Sequence, residues 1–524
     1  MKSGVRPEEL HPMIITRRAL GGLALAPAAA AAQPSAPRHG GTITVAQCSA
    51  NRFVASPQTA RHPYFTVDLT TRIPYNALVW VDRQMRLQPE LATAWAPASA
   101  DQSVWDVTLR PGVRFHDGSP LRPEDVVASF ELHRRRNFAS GQIQKIEAMA
   151  DGRVRFTLDA GNSEFPYVLA EYQNMIMPAA PLETIGNTGI GTGPFRFAST
   201  DPNRVAVYER NPAYWREGYP YLDRIELHNR EGQQETALAG LRAGQFDMVM
   251  TIDPRSVRGL QRDADLVVDS GGGGHHYVIQ LPKHPGSPFE DKRVRQALAL
   301  SVDREAIVRL VYGEGNGWIG NDSHLVAADP NFLPLPRLPR AEAVARARTL
   351  LAAAGHPNGL NLGTLYWSPQ SPEVGRYFQV LQETAREAGL TLALEQRPAD
   401  GYVQFRTGDN DLSKGSFHRF AMTAVGPRNP GISLFRMRGE FVESGHWRGP
   451  EQDTYMALYA EAMREGDAAR RRDIFHRMQR LLHEEVPALL PGGTMTFSVR
   501  RRHVQGFEFH PQIWSVRFDE VWRG

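Results

Sequence analysis

The chain has 524 residues, of which 41% are hydrophobic and 22% are charged, and its net charge is +3. These proportions are ordinary for a globular protein, and the length is sufficient to bury a large core. The small net charge gives no indication of nucleic-acid binding. A single cysteine, Cys48, excludes an intramolecular disulfide and a cysteine-based zinc cluster. At about 150 residues per domain, the length predicts about three domains.

Residues 1–39 have the pattern of an export signal. Arg17 and Arg18 precede an apolar, alanine-rich stretch, Ala19–Ala32, which ends in an A-x-A cleavage site. The letters TRRAL match a twin-arginine signal, and an ordinary Sec signal with two arginines is the alternative. The stretch is too short for a transmembrane helix. Because Cys48 lies well beyond it, we expect an exported, soluble protein and not a lipoprotein.

Strand and turn signals precede a helix signal in Trp105–Phe130, WDVTLRPGVRFHDGSPLRPEDVVASF. The first residues alternate apolar and polar side chains, which predicts a half-buried strand. Pro111-Gly112 predicts a turn, and the alternation around Val113 and Phe115 predicts a second strand. Pro123 suits the first position of a helix, because its missing N–H is not needed there.

The order of residues in this block, R-x-G-V-R-F-H-D-G-x-P-x-x-x-E-D-V, resembles the signature of the peptide/nickel-type extracytoplasmic solute-binding proteins of ABC importers, solute-binding protein family 5. One departure is Arg122, since relatives commonly have Ser or Thr there, so the side-chain cap of the helix is lost. Pro89–Ala92, Gly191–Phe195 and Pro288–Gly313 also match the family. The resemblance covers about residues 40–524.

The resemblance implies an α/β, two-lobed periplasmic binding protein-like fold with mixed sheets, whose first lobe is enlarged by an extra subdomain. After the signal peptide (1–39), the expected divisions are lobe I (40–276), with an inserted subdomain at about 75–190, lobe II (277–488), and a C-terminal return to lobe I (489–524).

Motifs for catalysis and cofactor binding are mostly missing. The sequence has no G-x-S-x-G, H-E-x-x-H or G-x-x-x-x-G-K-[ST]. Gly315–Gly320, GNGWIG, fits G-x-G-x-x-G, but it follows a predicted helix and not a strand, so we interpret it as a surface loop. His275 and His276 would point to opposite faces of a strand, which disfavours a shared metal ion. We therefore expect no catalysis, no cofactor and no metal site.

The resemblance also implies ligand-binding residues. The loop Cys48–Pro57, with Asn51 and Arg52, corresponds to a loop that reaches the ligand in relatives. Tyr366 and Trp367 end a predicted strand that delivers a ligand-facing tryptophan in relatives. Packing of these aromatic side chains in the core is the alternative, and it applies equally to a further candidate, Trp447.

The segment Phe420–Leu434, FAMTAVGPRNPGISL, matches one in which peptide-binding relatives carry an aspartate that pairs with the ligand's α-amine. That segment resembles W-x-x-D-x-x-D-P in relatives; here Asn429-Pro430 stands at the D-P position, and the segment has no acid. The neighbouring Arg428 would suit a carboxylate, phosphate or sulfonate, unless it lies on the surface outside the cleft. Unless another acid reaches the cleft, we expect peptides with a free N-terminus to bind poorly and anionic or amine-blocked ligands to bind better.

These features predict the periplasmic substrate-binding component of an ABC transporter. It would capture a short peptide or other small organic solute in an interlobe cleft and deliver it to the inner-membrane permease. We expect the solute and the permease as partners, no nucleic acid, and a monomer. A nickel, metallophore or haem binder of the same fold is one alternative. A secreted hydrolase is another, and the missing nucleophile motifs count against it.

Overall fold

Two seven-stranded sheets and one four-stranded sheet organise the chain. The computed structural model describes residues 36–48, 71–136, 139–181, 183–185, 188–201, 204–230, 232–369, 371, 373–398, 401–407, 419–437, 447, 449–512 and 515–524. Most of the predicted export signal, and the predicted binding residues Asn51 and Arg52, lie outside these residues. Within the described residues, none of the helices combines the length and the apolar composition needed to cross a bilayer.

The strands of the described residues are β1 (Thr42–Gln47), β2 (Val79–Val81), β3 (Leu87–Pro89), β4 (Ala92–Pro97), β5 (Val104–Leu109), β6 (Ile143–Ala148), β7 (Arg153–Leu158), β8 (Phe195–Asp201), β9 (Val205–Arg210), β10 (Arg224–Asn229), β11 (Met248–Met250), β12 (Leu266–Gly271), β13 (His276–Gln280), β14 (Gly317–Ile319), β15 (Leu360–Trp367), β16 (Leu390–Gln396), β17 (Ala421–Val425), β18 (Ala488–Leu489), β19 (Gly492–Thr494), β20 (Thr496–Arg501), β21 (Val504–Gln505) and β22 (Trp522–Arg523).

The α-helices are α1 (Pro123–Arg136), α2 (Phe165–Val168), α3 (Gln234–Arg242), α4 (Val257–Leu260), α5 (Lys292–Ser301), α6 (Arg304–Ile307), α7 (Arg340–Ala353), α8 (Val374–Arg386), α9 (Tyr402–Thr407), α10 (Pro430–Met437), α11 (Pro450–Arg464) and α12 (Ala468–Glu485).

The first sheet has the order β12-β20-β11-β1-β10-β9-β8. It is mixed, because β1 runs parallel to β10 and β11 while β20 runs antiparallel to β11 and β12. Both faces are buried. Ile43 and Val45 of β1 point into one apolar cluster, and Ala46 points into a second cluster with α3 on the other face. This alternation follows from the period of two in a strand.

The second sheet has the order β14-β19-β13-β17-β15-β16, with β18 paired to β13. Its two faces are also both covered, since Tyr277 packs with α5, α7 and α8 on one side, and Val278 packs with α11 and α12 on the other. The helix α8 buries Val374, Phe378 and Leu381, which lie on one face at helical spacing.

The third sheet has the order β4-β5-β7-β6 and packs against α1. In the sequence it lies between β1 and the other strands of the first sheet. We call the elements around the first and third sheets the first lobe and those around the second sheet the second lobe. This is the two-lobed, mixed α/β class expected from the sequence. The exact residue bounds of the lobes remain a prediction.

Two connections join the first and second sheets, one over residues 272–275 and one at Met495. They run side by side, because the Thr494 N–H donates to the His275 carbonyl at 3.2 Å. A Cβ at Gly274 would stand only 2.0 Å from the Thr494 carbonyl oxygen. Only glycine therefore fits at this crossing.

The signature block folds largely as predicted. Its first strand is β5, and α1 begins at Pro123. The predicted second strand around Val113 and Phe115 is wrong, since only an isolated bridge between Arg114 and Pro120 forms there. Arg122 supplies no side-chain cap, but the other half of a capping box forms, because Asp125 accepts a hydrogen bond from the Arg122 backbone N–H at 2.7 Å.

The histidine of the signature block ties it to the turn at Gly191–Phe195. The His116 Nε2–H donates to the Gly193 carbonyl at 3.0 Å, and Nδ1 accepts from the Gly191 N–H at 3.3 Å. A Cβ at Gly191 would meet the Pro74 carbonyl oxygen at 2.0 Å. These motif residues therefore hold the first lobe together.

The glycine-rich stretch Gly315–Gly320 is not the surface loop that we expected. Its centre is β14, at the edge of the second sheet, where Trp318 is buried. Gly320 packs so closely that a Cβ there would lie 2.3 Å from the Leu490 carbonyl oxygen. Gly317 and Gly320 therefore allow the close packing at this edge of the sheet, whereas Gly315 has open space around it.

A buried histidine predicts how stability depends on pH. The His510 Nε2–H donates to the Val81 carbonyl at 2.9 Å, while Nδ1 accepts from the Gln512 N–H at 2.9 Å. Burial lowers the pKa of His510 from its usual 6.5 to about 4. Between these values the unfolded chain binds the proton more readily, so stability is complete above pH 6.5 and falls as the pH drops toward 4.

In the wild type, His510 should lower the free energy of unfolding by up to about 3 kcal/mol between pH 6.5 and pH 4, at 1.36 kcal/mol per pKa unit. We expect this decrease to be absent in His510→Gln. Urea unfolding at pH 7, 6 and 5 measures this. The matched control is His284→Gln at an exposed position. A pH dependence identical in both variants would contradict the assignment.

Candidate interlobe binding site

The two lobes meet at a boundary that we call the interlobe cleft. The first lobe contributes residues 161–175, which follow β7, and residues 251–256, which follow β11. The second lobe contributes residues 426–429, which connect β17 to α10, together with α10, α8 and α12. The apolar side chain of Ile432 in α10 joins the core of the third sheet, so the lobes are in direct contact there.

Arg428 lies in this cleft and not on the surface. Its side chain is 7% exposed, and its Nε lies 3.4 Å from the Glu171 Oε2 of the first lobe. The guanidinium carbon stands 5.8 Å from the centre of the Tyr172 ring. Glu171 is equally buried, so two opposite charges lie close together out of water.

Asn429 meets a second buried acid, Glu164. The Asn429 side-chain amide donates to Glu164 Oε2, and Arg471 of α12 pairs with Oε1 at 2.9 Å. The Asn429 side-chain oxygen accepts from the Ile432 N–H at the start of α10. Burial raises the pKa of Glu164, the positive charge of Arg471 opposes this rise, and the negative charge of Asp329 adds to it.

A third pair crosses the cleft between Asp253 and Arg376, at 2.8 Å. The Asp253 Oδ1 also accepts from the Arg255 N–H at 2.9 Å and so caps the 3₁₀ turn Pro254–Ser256. Arg376 lies in the first turn of α8. The amino-terminal end of α8 therefore faces the first lobe.

The predicted aromatic residues have mainly second-lobe neighbours. The Tyr366 ring packs edge-on against Phe405, with the ring centres 5.0 Å apart. Trp367 is half-buried and packs against the core near Phe378. Trp447 is 2% exposed and belongs to the core. Tyr366 and Trp367 still end β15, so both stay candidates for ligand contact.

The sequence alone did not identify five charged residues of the cleft, namely Glu164, Glu171, Asp253, Arg376 and Arg471. No local pattern distinguishes them, because each pairs with a residue more than 100 positions away. Only the folded chain brings them together.

Other candidate sites lie apart from the cleft. A cavity of about 540 Å³ in the second lobe lies between α5, α7 and α12 and includes Leu300, Leu338 and His483 in its wall. Within the described residues, no three His, Cys, Asp or Glu side chains are grouped to hold a metal ion. The buried His276 has the His324 ring nitrogen as a neighbour at 3.3 Å.

Comparisons with known proteins agree with this architecture. The di/tripeptide-binding protein 2 of Pseudomonas aeruginosa is 26% identical over 490 residues, covering 85% of this chain and 89% of that protein. The glutathione-binding protein GsiB of Pectobacterium atrosepticum is 25% identical over 481 residues, covering 87% and 91%. The periplasmic binding protein DppA of Helicobacter pylori, solved with the peptide STSA, superposes with a TM-score of 0.73 at 21% identity, covering 93% and 98%.

Residues 86–433 match the sequence profile described as bacterial extracellular solute-binding proteins, family 5 middle. This match spans well over half of the chain and includes both the signature block and the cleft residues Arg428 and Asn429. The chain therefore belongs to the family 5 bacterial extracellular solute-binding proteins.

Proposed function

We propose that this protein captures a short peptide or peptide-like organic solute between its lobes and delivers it to a permease of an ABC importer in the inner membrane. The observation that carries the proposal is the convergence of buried charges from both lobes, Glu171 with Arg428 and Glu164 with Asn429 and Arg471. Buried charges of opposite sign on two movable bodies suit a ligand that has both an amine and a carboxylate.

The names of similar proteins support a ligand of this class, since they include di/tripeptide-binding and glutathione-binding proteins. From the segment Phe420–Leu434 we expected peptides with a free amine to bind poorly. That expectation applied only on the condition that no other acid reaches the cleft. Glu171 and Glu164 are such acids. We therefore propose that peptides with a free N-terminus are acceptable ligands.

Within this proposal, Arg428 and Asn429 contact the solute, and Tyr366, Trp367, Asn51 and Arg52 are further candidates. The protein would act in the periplasm as a monomer, without catalysis and without a resident cofactor. The lobe bounds expected from the sequence, 40–276 with 489–524 and 277–488, would shift by a few residues to the connections at 272–275 and Met495, since β19 belongs to the second sheet.

The first test is the solute that the protein retains when purified. Native mass spectrometry of the freshly isolated protein is expected to reveal a bound species with the mass of a short peptide or related organic solute. Arg428→Ala should weaken binding of that species by about 2–5 kcal/mol, because a buried charge loses its partner. Calorimetry with the recovered solute measures the change.

Two results would contradict the proposal. A retained metal chelate would favour a metal-binding receptor, and turnover of ester substrates with a covalent acyl adduct would favour a hydrolase. The control variant is Arg386→Met, whose guanidinium pairs with Glu383 on the same exposed face of α8.

The second test concerns lobe closure. Asp253→Asn keeps the oxygen that caps the Pro254–Ser256 turn but removes the charge that pairs with Arg376. We expect this variant to lose about 1 kcal/mol of the preference for closure, a roughly fivefold shift toward the open form. Small-angle scattering without ligand should then give a larger radius of gyration, and saturating solute should restore the compact form. A radius equal to wild type in both states would argue that this pair does not bias closure.

A further inference from the structure

The ion pairs that cross the interlobe cleft share one polarity. Between described residues, three such pairs cross, Glu164–Arg471, Glu171–Arg428 and Asp253–Arg376, at 2.9, 3.4 and 2.8 Å. In each, the first lobe provides the acid and the second lobe provides the arginine. The first-lobe wall is therefore acidic and the second-lobe wall is basic.

We infer that the cleft orients a dipolar solute, with its cationic end against Glu171 of the first lobe and its anionic end against Arg428 of the second lobe. This inference rests on the proposed function and adds the direction in which the solute lies. It assigns Glu171 as the residue that recognises the solute's amine.

The Glu171–Arg428 pair is the one suited to open around a solute. Its N–O distance of 3.4 Å is the longest of the three. Glu164 is held by both the Asn429 amide and Arg471, and Asp253 is held by its turn. When a zwitterion enters, its ammonium replaces Arg428 beside Glu171, and its carboxylate replaces Glu171 beside Arg428. Each buried charge then keeps a counter-charge throughout.

Charged groups of the opposite sign on each wall do not cancel this polarity. Among the described residues, Asp329 and Glu373 are second-lobe acids that lie close enough to act on Glu164 and Asp253 respectively, and burial raises the pKa of both. Glu373 accepts hydrogen bonds from Tyr277 and Ser371 within its own lobe. On the first lobe, the buried Arg72 is neutralised by Glu90 at 2.8 Å.

The orientation is opposite to the one implied by peptide-binding relatives. Their amine-binding aspartate lies in the segment equivalent to Phe420–Leu434, which here belongs to the second lobe. With no acid in this segment and with Arg428 in it, the second lobe offers the solute a cation. In this protein the acid assigned to the solute's amine, Glu171, lies on the first lobe.

Calorimetry with matched dipeptides tests this orientation. The probes are Ala-Ala, Ala-Phe and Ala-Leu, each also in an N-acetylated and a C-amidated form. In the wild-type protein we expect either blocking group to weaken binding by about 30-fold or more, because it removes the solute's charge that would face the oppositely charged buried side chain. In Glu171→Gln, N-acetylation of the peptide should weaken binding by less than about fivefold, while C-amidation should weaken it as much as in the wild type. Arg428→Met should show the converse.

Glu171→Gln is nearly isosteric, Arg428→Met keeps an unbranched apolar side chain without the guanidinium, and thermal unfolding verifies that each variant is folded. Glu147→Gln, in the exposed pair with Lys145 on β6, is the matched control and should keep both discriminations. If Glu171→Gln retains the full loss on N-acetylation while wild type binds the peptides, the orientation is overturned and the proposed function survives. If no probe binds the wild type below millimolar concentration, both the proposed peptide ligand and the proposed orientation are contradicted.

Discussion

A buried charge requires a counter-charge, and at the interlobe cleft of this protein the counter-charge comes from the other lobe. Glu164 and Glu171 are 5% exposed, as deeply buried as core residues. Taking such carboxylates out of water is costly unless a cation or a set of hydrogen bonds replaces the solvent. The compact arrangement of the lobes therefore depends on the arginines at 428 and 471, and any solute that enters must take over the same role.

This constraint acts at the junction of two lobes that are each built around a large sheet. Each large sheet is covered on both faces by its own apolar clusters, so each lobe has an independent core. The lobes are linked by two adjacent connections, where Gly274 packs against the Thr494 carbonyl. Motion about these connections would leave the apolar clusters around the two large sheets intact, and it would withdraw Ile432 from the core of the third sheet and break the contacts of the cleft.

The sequence predicted the parts of the fold that depend on local patterns. The alternation of Trp105 and Val107 identified β5, and Pro123 identified the start of α1. The family was recognisable for the same reason, since His116 and the glycines of Gly191–Phe195 are fixed by close backbone packing. These residues stabilise the first lobe, which is why they identify the family and carry little information about the solute.

The cleft could be predicted only in part. Phe420–Leu434 was identified by its resemblance to a binding segment, and Arg428 does lie at the boundary between the lobes. Its partner Glu171 could not be found, because the pairing joins positions 257 residues apart that share no periodicity. The predictions of a second strand at Val113 and of a surface loop at Gly315–Gly320 were wrong for a related reason. In both places tertiary packing, and not local alternation or glycine content, decides the structure.

A crystal structure of the protein with a bound zwitterionic peptide tests the central claim most directly, namely that the acidic wall of the cleft belongs to the first lobe and the basic wall to the second. We predict the peptide's ammonium within hydrogen-bond distance of Glu171 and its carboxylate on Arg428, with the two side chains no longer in contact. A peptide whose ammonium lies against the second-lobe segment near Asn429, with the Glu171–Arg428 pair intact, would contradict it.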